Sequence, residues 1–242
     1  MNSVRVGCAG WAIPKQYTDF FPAVGSHLER YAARFSVVEI NSTFYKSHKP
    51  TTYARWAASV SDHFRFAVKI PKSITHVHRL ADGDSVRHLL TEVSGLGAKL
   101  GPLVVQLPPS LVFDLDVAEK FFKELRLCTD ASVVCEPRHI SWFATEAENL
   151  LAKFRIARVA ADPAIVPRAA EPSGWEKLVY YRLHGSPRMY YSAYSEEFLD
   201  NSAKRLANLA HSAETWCIFD NTASGVAIGN ALALAERLAH EE

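Results

Sequence analysis

Residues 36–70 read SVVEINSTFYKSHKPTTYARWAASVSDHFRFAVKI, and this stretch decides the fold. Its two ends, Ser36–Asn41 (SVVEIN) and Phe64–Ile70 (FRFAVKI), are short runs rich in β-branched and aromatic side chains, which suit a pleated strand. Between them, over Tyr53–Val60, apolar residues return at three- and four-residue intervals behind Lys49-Pro50-Thr51. That spacing predicts an amphipathic helix with a proline-stiffened first turn. Strand, helix and strand in succession form a βα unit.

The same rhythm extends in both directions. Further strand-like runs are Val4–Ala9, Pro102–Leu107, Ser132–Glu136, Ile156–Ala160, Leu178–His184 and Thr215–Phe219. Helical spacing recurs over Leu28–Phe35, Val86–Leu96, Val117–Leu127, Ala147–Phe154, Phe198–Leu209 and Ala227–Leu238, with Ser26, Asp84 and Asp114 placed to cap three of these segments. The sixth connection, Asp162 to Lys177, carries Pro163, Pro167, Pro172 and Gly174 and predicts an extended loop with room for one helical turn. Eight strands alternating with helices, without an internal linker, predict an α/β protein: a single (β/α)8 TIM-like barrel over residues 1–242. A doubly wound sheet binding a dinucleotide would need G-x-G-x-x-G after its first strand, where this chain has GCAGWAIP.

Composition narrows the function classes. With 48% hydrophobic and 22% charged residues the chain has a globular balance, not a disordered one. A net charge of +1 supplies no overall field towards nucleic acid or an anionic membrane. The first residues lack the basic and apolar regions of a signal peptide, so a soluble cytoplasmic protein is expected, with no membrane partner. Cys8, Cys128, Cys135 and Cys217 stand far apart without metal-site spacing, and three of them fall in strand-like runs. They are expected to be core residues.

Side chains alternate along a strand, and barrel chemistry gathers at the C-terminal strand ends. The inward phase then holds Glu39 and Asn41, Ala67 and Lys69, Val104 and Gln106, Val134 and Glu136, and Arg182 and His184. Four charged residues on inward faces are hard to explain by packing, because unpaired buried charge is costly. Loops following the strands add His76, Arg138, His139, Asp162 and Asn221, and the aromatics Trp11, Phe44, Tyr45 and Trp142 are expected as pocket walls. Glu39 is open to two roles, closing an ion network with Lys69 or Arg182, or catalysis.

The segments GCAGWAIP, YAARFSVVEINSTFY, FRFAVKIPKSITH, KLGPLVVQLPPS, CEPRHISW, YYRLHG and FDNT, in this order, resemble the YecE-like family, the domain of unknown function numbered 72. The resemblance runs from about Gly7 to Ala231 and implies a TIM-like barrel with a site at its mouth. Family motif positions fall on Glu39, Asn41, Tyr45, Lys69, His76, Gln106, Glu136, Arg138, His139, Trp142, Arg182, His184 and Asn221, and also on Ser42, Thr43, Thr75, Pro108, Pro109 and Gly185. Asp220-Asn221 stands where members of the family often show two asparagines, which leaves open whether residue 220 serves the site or the strand's outer face.

The expected function is an anion-binding, catalytic pocket at the C-terminal face. Glu39, Glu136 and His184 would be the catalytic groups, and Asn41, Tyr45, Lys69, His76, Gln106, Arg138, His139, Trp142, Arg182 and Asn221 would bind substrate. Hydrolysis of a phosphate-containing small molecule or nucleotide, with no cofactor, is the leading reading. One alternative is a metal-dependent phosphodiesterase resembling apurinic endonucleases, with Glu136, Asp162 and His184 holding a divalent ion. Another is a non-enzymatic binder of nucleotides or short nucleic acid.

Overall fold

The computed structural model describes residues 4–241. In chain order the strands are β1 (Arg5–Cys8), β2 (Val37–Ile40), β3 (Arg65–Lys69), β4 (Leu100–Gln106), β5 (Val133–Glu136), β6 (Ile156–Arg158), β7 (Ala160–Asp162), β8 (Ser173–Gly174), β9 (Leu178–Leu183) and β10 (Glu214–Phe219). The helices are α1 (His27–Ala32), α2 (Pro50–Ala58), α3 (Gly83–Val93), α4 (Leu115–Cys128), α5 (Thr145–Lys153), α6 (Glu196–Ala210) and α7 (Ala227–Glu241). Each expected strand and helix has its counterpart, the sixth strand in two pieces, and strands alternate with helices except from β6 to β9.

Local chemistry sets the helix starts. Ser26 forms a capping box with Glu29, each side chain accepting the other's backbone N–H (3.3 and 2.7 Å). Asp114 accepts from Val117 N–H at 3.0 Å. For α3 the cap is Asp82, which accepts from Ser85 N–H at 3.2 Å. Asp84, the expected cap, falls inside that helix, and its side chain lies outside the described residues. The proline-rich sixth connection forms one 3-10 turn, Pro167–Ala170, and then returns as β8, antiparallel to β6.

The strands do not make one unbroken ring of hydrogen bonds. They form a four-stranded sheet, β1-β10-β9-β7, and a six-stranded sheet, β2-β3-β4-β5-β6-β8. The expected sixth strand is divided at Val159: β6 pairs with β5, whereas β7 pairs with β9. Between β1 and β2 there is only an isolated bridge, Ala9 to Glu39. The architecture is therefore α/β and TIM-barrel-like with two seams, rather than the uninterrupted eight-stranded barrel expected.

At the β1–β2 seam a side chain replaces the missing ladder. Cys8 N–H donates to the Tyr31 hydroxyl at 2.8 Å, which donates to the Val37 carbonyl at 3.0 Å. Gly7 permits this close approach, since a Cβ there would sit 2.3 Å from the Val37 oxygen. All these groups are buried, so neither backbone partner can turn to water instead.

Two apolar layers follow from the alternation of side chains. Outward residues such as Val38, Phe66, Val105 and Cys135 pack beneath the helices. Inward residues Val37, Ala67, Val104, Val134, Val159, Tyr180, Trp216 and Ile218 make a separate cluster between the strands. Tyr180 and Trp216 stack at 5.8 Å and fill much of that space. Cys8, Cys135 and Cys217 are buried thiols of these layers and Cys128 is half-buried; all four are unpaired. No helix among the described residues is long and apolar enough to cross a membrane.

Tyr31→Phe keeps the ring and removes the hydroxyl, leaving a buried N–H and a buried C=O without partners. At about 1–3 kcal/mol for each stranded group, the loss should reach roughly 2–4 kcal/mol in a urea titration, and a change within error would show that the seam does not depend on Tyr31.

Candidate functional site

Above the inward apolar cluster the same strand phase turns polar. Glu39 follows Val37, Lys69 follows Ala67, Gln106 follows Val104, Glu136 follows Val134 and Arg182 follows Tyr180, as the alternation predicts, and all five are buried. Arg182 has no solvent exposure and is the hub. Its Nη2 and Nε donate to Glu39 Oε1 and Oε2 at 2.7 and 3.1 Å, a two-point fork. Nη2 also donates to Asp220 Oδ2 at 3.0 Å, and Nη1 to Glu136 Oε2 and, at 3.4 Å, to Gln106 Oε1. Tyr180 donates its hydroxyl proton to Glu39 Oε2 at 3.0 Å, so both Glu39 oxygens are engaged.

His184 sits between two carboxylates. Nδ1 is 3.0 Å from Asp220 Oδ2 and Nε2 is 3.1 Å from Glu136 Oε1. Ionised carboxylates only accept, so both ring nitrogens must donate and the ring is an imidazolium. Burial opposes that charge, but Glu136 and the bond to Asp220 outweigh it and raise the His184 pKa. The 3.5 Å approach of Arg138 Nη2 to His184 Nε2 therefore brings two donors together and is not a hydrogen bond. Arg138 instead donates from Nε to Glu136 Oε1 at 2.8 Å and from Nη1 to the Tyr190 hydroxyl at 3.2 Å. Burial would raise the Glu136 pKa, yet Arg182, His184 and Arg138 hold it well below the carboxylate range. Asp220 is likewise lowered against burial, by Arg182 and His184.

The charges balance: Glu39, Glu136 and Asp220 face Arg182, Arg138 and His184. Lys69 is a fourth cation and is left over. It is 8% exposed, makes no ion pair or side-chain hydrogen bond among the described residues, and has its Nζ 4.1 Å above the Phe44 ring. Burial, and next the nearby Arg182, lower its pKa to about 8. His76 is lowered too, by burial and by the charges of Lys69, Arg138 and Lys72, so these groups share one electropositive rim. Its ring lies edge-on to Phe44 at 4.9 Å.

Other expected site residues do different work. Trp142 is buried in the helix-side core against Phe113, its indole N–H donating to the Leu111 carbonyl at 2.9 Å, and the cavity it borders, with Leu80 and Leu111, is apart from the charged cluster. His139 caps the short helix that follows β5, with Nδ1 2.8 Å from Ser141 Oγ. Asn221 is out of phase and ties loops together through Ser192 O and Asn230 Oδ1 at 3.0 and 2.9 Å. Tyr45 is 80% exposed at the rim and packs only on Phe44. Asp162 turns its Oδ1 to the Tyr194 hydroxyl, 2.8 Å away, and so does not converge with Glu136 and His184 as a metal set. Among the described residues no group of three or more His, Cys, Asp or Glu is placed to hold a metal ion.

Asp220, Tyr180 and Tyr190 belong to the cluster and are not among the expected site residues. Continuing the β10 alternation through Trp216 and Ile218 would have put Asp220 inside and answered the question its replacement of asparagine raised. Tyr190 gives no such signal. It adopts φ +69°, uncommon for a tyrosine, and holds its ring edge-on to His184 at 5.7 Å.

The family described as Protein of unknown function DUF72 matches residues 5–242. The chain belongs to the DUF72 family. This family member is 36% identical over 107 residues to the UPF0759 protein YecE of Escherichia coli (strain K12), a match that spans 43% of this chain and only 38% of that relative. Its fold is similar to that of a DUF72 family protein from Thermotoga maritima MSB8, with TM-score 0.80, 23% identity and coverage of 99% and 100% of the two chains. A DUF72 family protein from Enterococcus faecalis V583 gives TM-score 0.80 at 18% identity, covering 98% of this chain and 95% of that one. A sugar phosphate isomerase/epimerase from Parabacteroides distasonis ATCC 8503 shares the fold more distantly, with TM-score 0.56 and 10% identity over 99% and 95% of the chains.

Removing Arg182 strands three buried carboxylates, so Arg182→Met in this DUF72 family member should cost about 3–5 kcal/mol of stability in urea, as breaking a buried ion pair does. Adding Glu39→Gln should recover part of that loss, and equal stability of Arg182→Met and wild type would refute the hub.

The cluster also sets a pH profile. Glu136 and Asp220 lie below their ordinary values of 4.5 and 3.8, so their contribution is complete above those values and disappears as pH falls through the lower folded ones. His184 lies above 6.5, so its contribution is complete below 6.5 and is lost as pH rises through its folded value. Urea midpoints should therefore peak between 4.5 and 6.5, and the decline above 6.5 should vanish in His184→Gln.

Proposed function

We propose that this chain binds a phosphate-bearing small anion at the C-terminal strand ends and hydrolyses it. The observation that carries the reading is the surplus cation: three carboxylates are matched without Lys69, which is left buried and without an ion pair among the described residues, and whose charge, like that of Arg138, acts on His76. An anion entering there would gain charge-assisted hydrogen bonds from Lys69 and from the outer edge of Arg138.

In this reading water attacks phosphorus, Glu136 receives its proton, and the His184 imidazolium returns one to the leaving oxygen. Arg182 and Glu39 touch no substrate and act as positioning residues. A carboxylate held so far below its ordinary range is a weak base, so most of the acceleration must come from the cations neutralising the phosphoryl oxygens. The reading takes the two sheets as one barrel and residues 1–242 as one cytoplasmic domain. The metal-dependent alternative loses support because Asp162 is committed to Tyr194.

Inorganic phosphate, sugar phosphates and nucleotides should raise the melting temperature of wild type and not of Arg138→Met. Phosphate affinity should be constant at low pH and fall as pH rises through about 8, where Lys69 loses its charge. Phosphate release from a responding substrate should drop by a factor of about 10²–10⁴ in Glu136→Gln, the usual size of an acid–base contribution. Absence of any anion-dependent shift would refute the pocket, and binding without phosphate release would refute hydrolysis.

A further inference from the structure

An unpaired buried lysine has two uses: it can hold an anion while charged, or act as a nucleophile once neutral. Four observations favour adding the second. Lys69 ends β3 on the inward face with its carbonyl fixed 2.6 Å from the Thr43 hydroxyl, so its stem starts from a rigid point. Among the described residues its side-chain partner is the Phe44 ring, which favours a cation but offers no proton acceptor. The charged groups acting on it are Arg182 from β9, Glu39 from β2, Glu136 from β5, Asp220 after β10 and His76 after β3. The three carboxylates are already engaged by Arg182, and the net result is a lowered pKa. The neighbouring Asn41, one step beyond the Ile40–Val68 pair, donates Nδ2 to Asp220 Oδ1 at 3.3 Å, and its buried Oδ1 has no partner. Because Asp220 only accepts, that orientation of the amide is fixed, and an unmet acceptor occupies the register position next to that of Lys69.

We propose that Lys69 is a nucleophilic amine that condenses with the carbonyl carbon of an anionic substrate, an oxo acid or a phosphorylated sugar, while Asn41 Oδ1 accepts a hydrogen bond from the substrate. The neutral amine forms the C–N bond and the carbonyl π pair moves to oxygen, which takes up a proton. The nitrogen then loses a proton, the hydroxyl takes up a second one from the His184 imidazolium, and water leaves with the C–O bonding pair, giving an iminium. One water is released and no oxidant or reductant is consumed. The inference rests on the anion-pocket reading for the charge of the substrate, and it replaces hydrolysis as the use of the site when that substrate carries a carbonyl.

The test is reductive trapping of wild type with cyanoborohydride, followed by peptide mass mapping. Pyruvate and glyceraldehyde 3-phosphate are the anionic probes, with acetone and glyceraldehyde as their neutral counterparts. The adduct should form at Lys69, and the anionic probe should react about tenfold faster or more, the effect of one hydrogen bond to a charged group. Preference for pyruvate or for glyceraldehyde 3-phosphate separates the two substrate classes. Trapping should rise as pH passes through about 8, opposite to phosphate affinity, whereas surface lysines follow their ordinary 10.5. Lys69→Arg should keep phosphate binding and lose the adduct; if it does not fold, the wild-type map and pH profile still decide. Phosphate binding with Lys69 unmodified would overturn the amine role and leave the pocket standing. Modification of Lys69 without phosphate binding or charge preference would overturn the anionic substrate class and the pocket reading with it.

Discussion

Burying a guanidinium costs several kcal/mol unless its donors are met, and Arg182 meets that cost with three carboxylates and an amide. Each partner comes from a different strand: Glu39 from β2, Gln106 from β4, Glu136 from β5 and Asp220 from the end of β10. One side chain thus ties the two sheets together across their interior. The hydrogen-bond ladders are weakest at the seams, so a charged hub at the mouth does what a closed ladder would do elsewhere.

The hub also settles the chemistry around it. With both Glu39 oxygens held by Arg182 and Tyr180, the outer carboxylates Glu136 and Asp220, each also bonded to Arg182, grip His184 on both nitrogens. That grip leaves an imidazolium with no lone pair, which can give up a proton but cannot take one. Charge matching then uses every carboxylate of the cluster and leaves Lys69 over. This arithmetic singles out one amine on β3 as the cation outside the network of ion pairs among the described residues.

Much of this was legible along the chain. Strict alternation put Glu39, Lys69, Gln106, Glu136, Arg182 and His184 on one face, because a period of two admits no other assignment once one residue of a strand is fixed. The residues that misled were those beyond the strand ends. His139 starts and Trp142 lies in a short 3-10 turn and Asn221 follows β10, where no strand periodicity relates position to direction, and each serves a local hydrogen bond or the core. Asp162 ends β7, yet its carboxylate is drawn aside by Tyr194, a residue 32 positions later in the chain.

The sequence by itself determined the order of strands and helices, the inward phase of each strand, and hence which charges would share the interior. These are properties of near neighbours, set by side-chain alternation and by helix spacing. Tertiary structure decided the rest: that two sheets meet at seams, that Tyr31 bridges one of them, that Asp220 completes the cluster, and that Lys69 has no counter-charge. Pairing is a matter of which distant groups come within about 3 Å, and that distance is fixed by the packing of the whole chain.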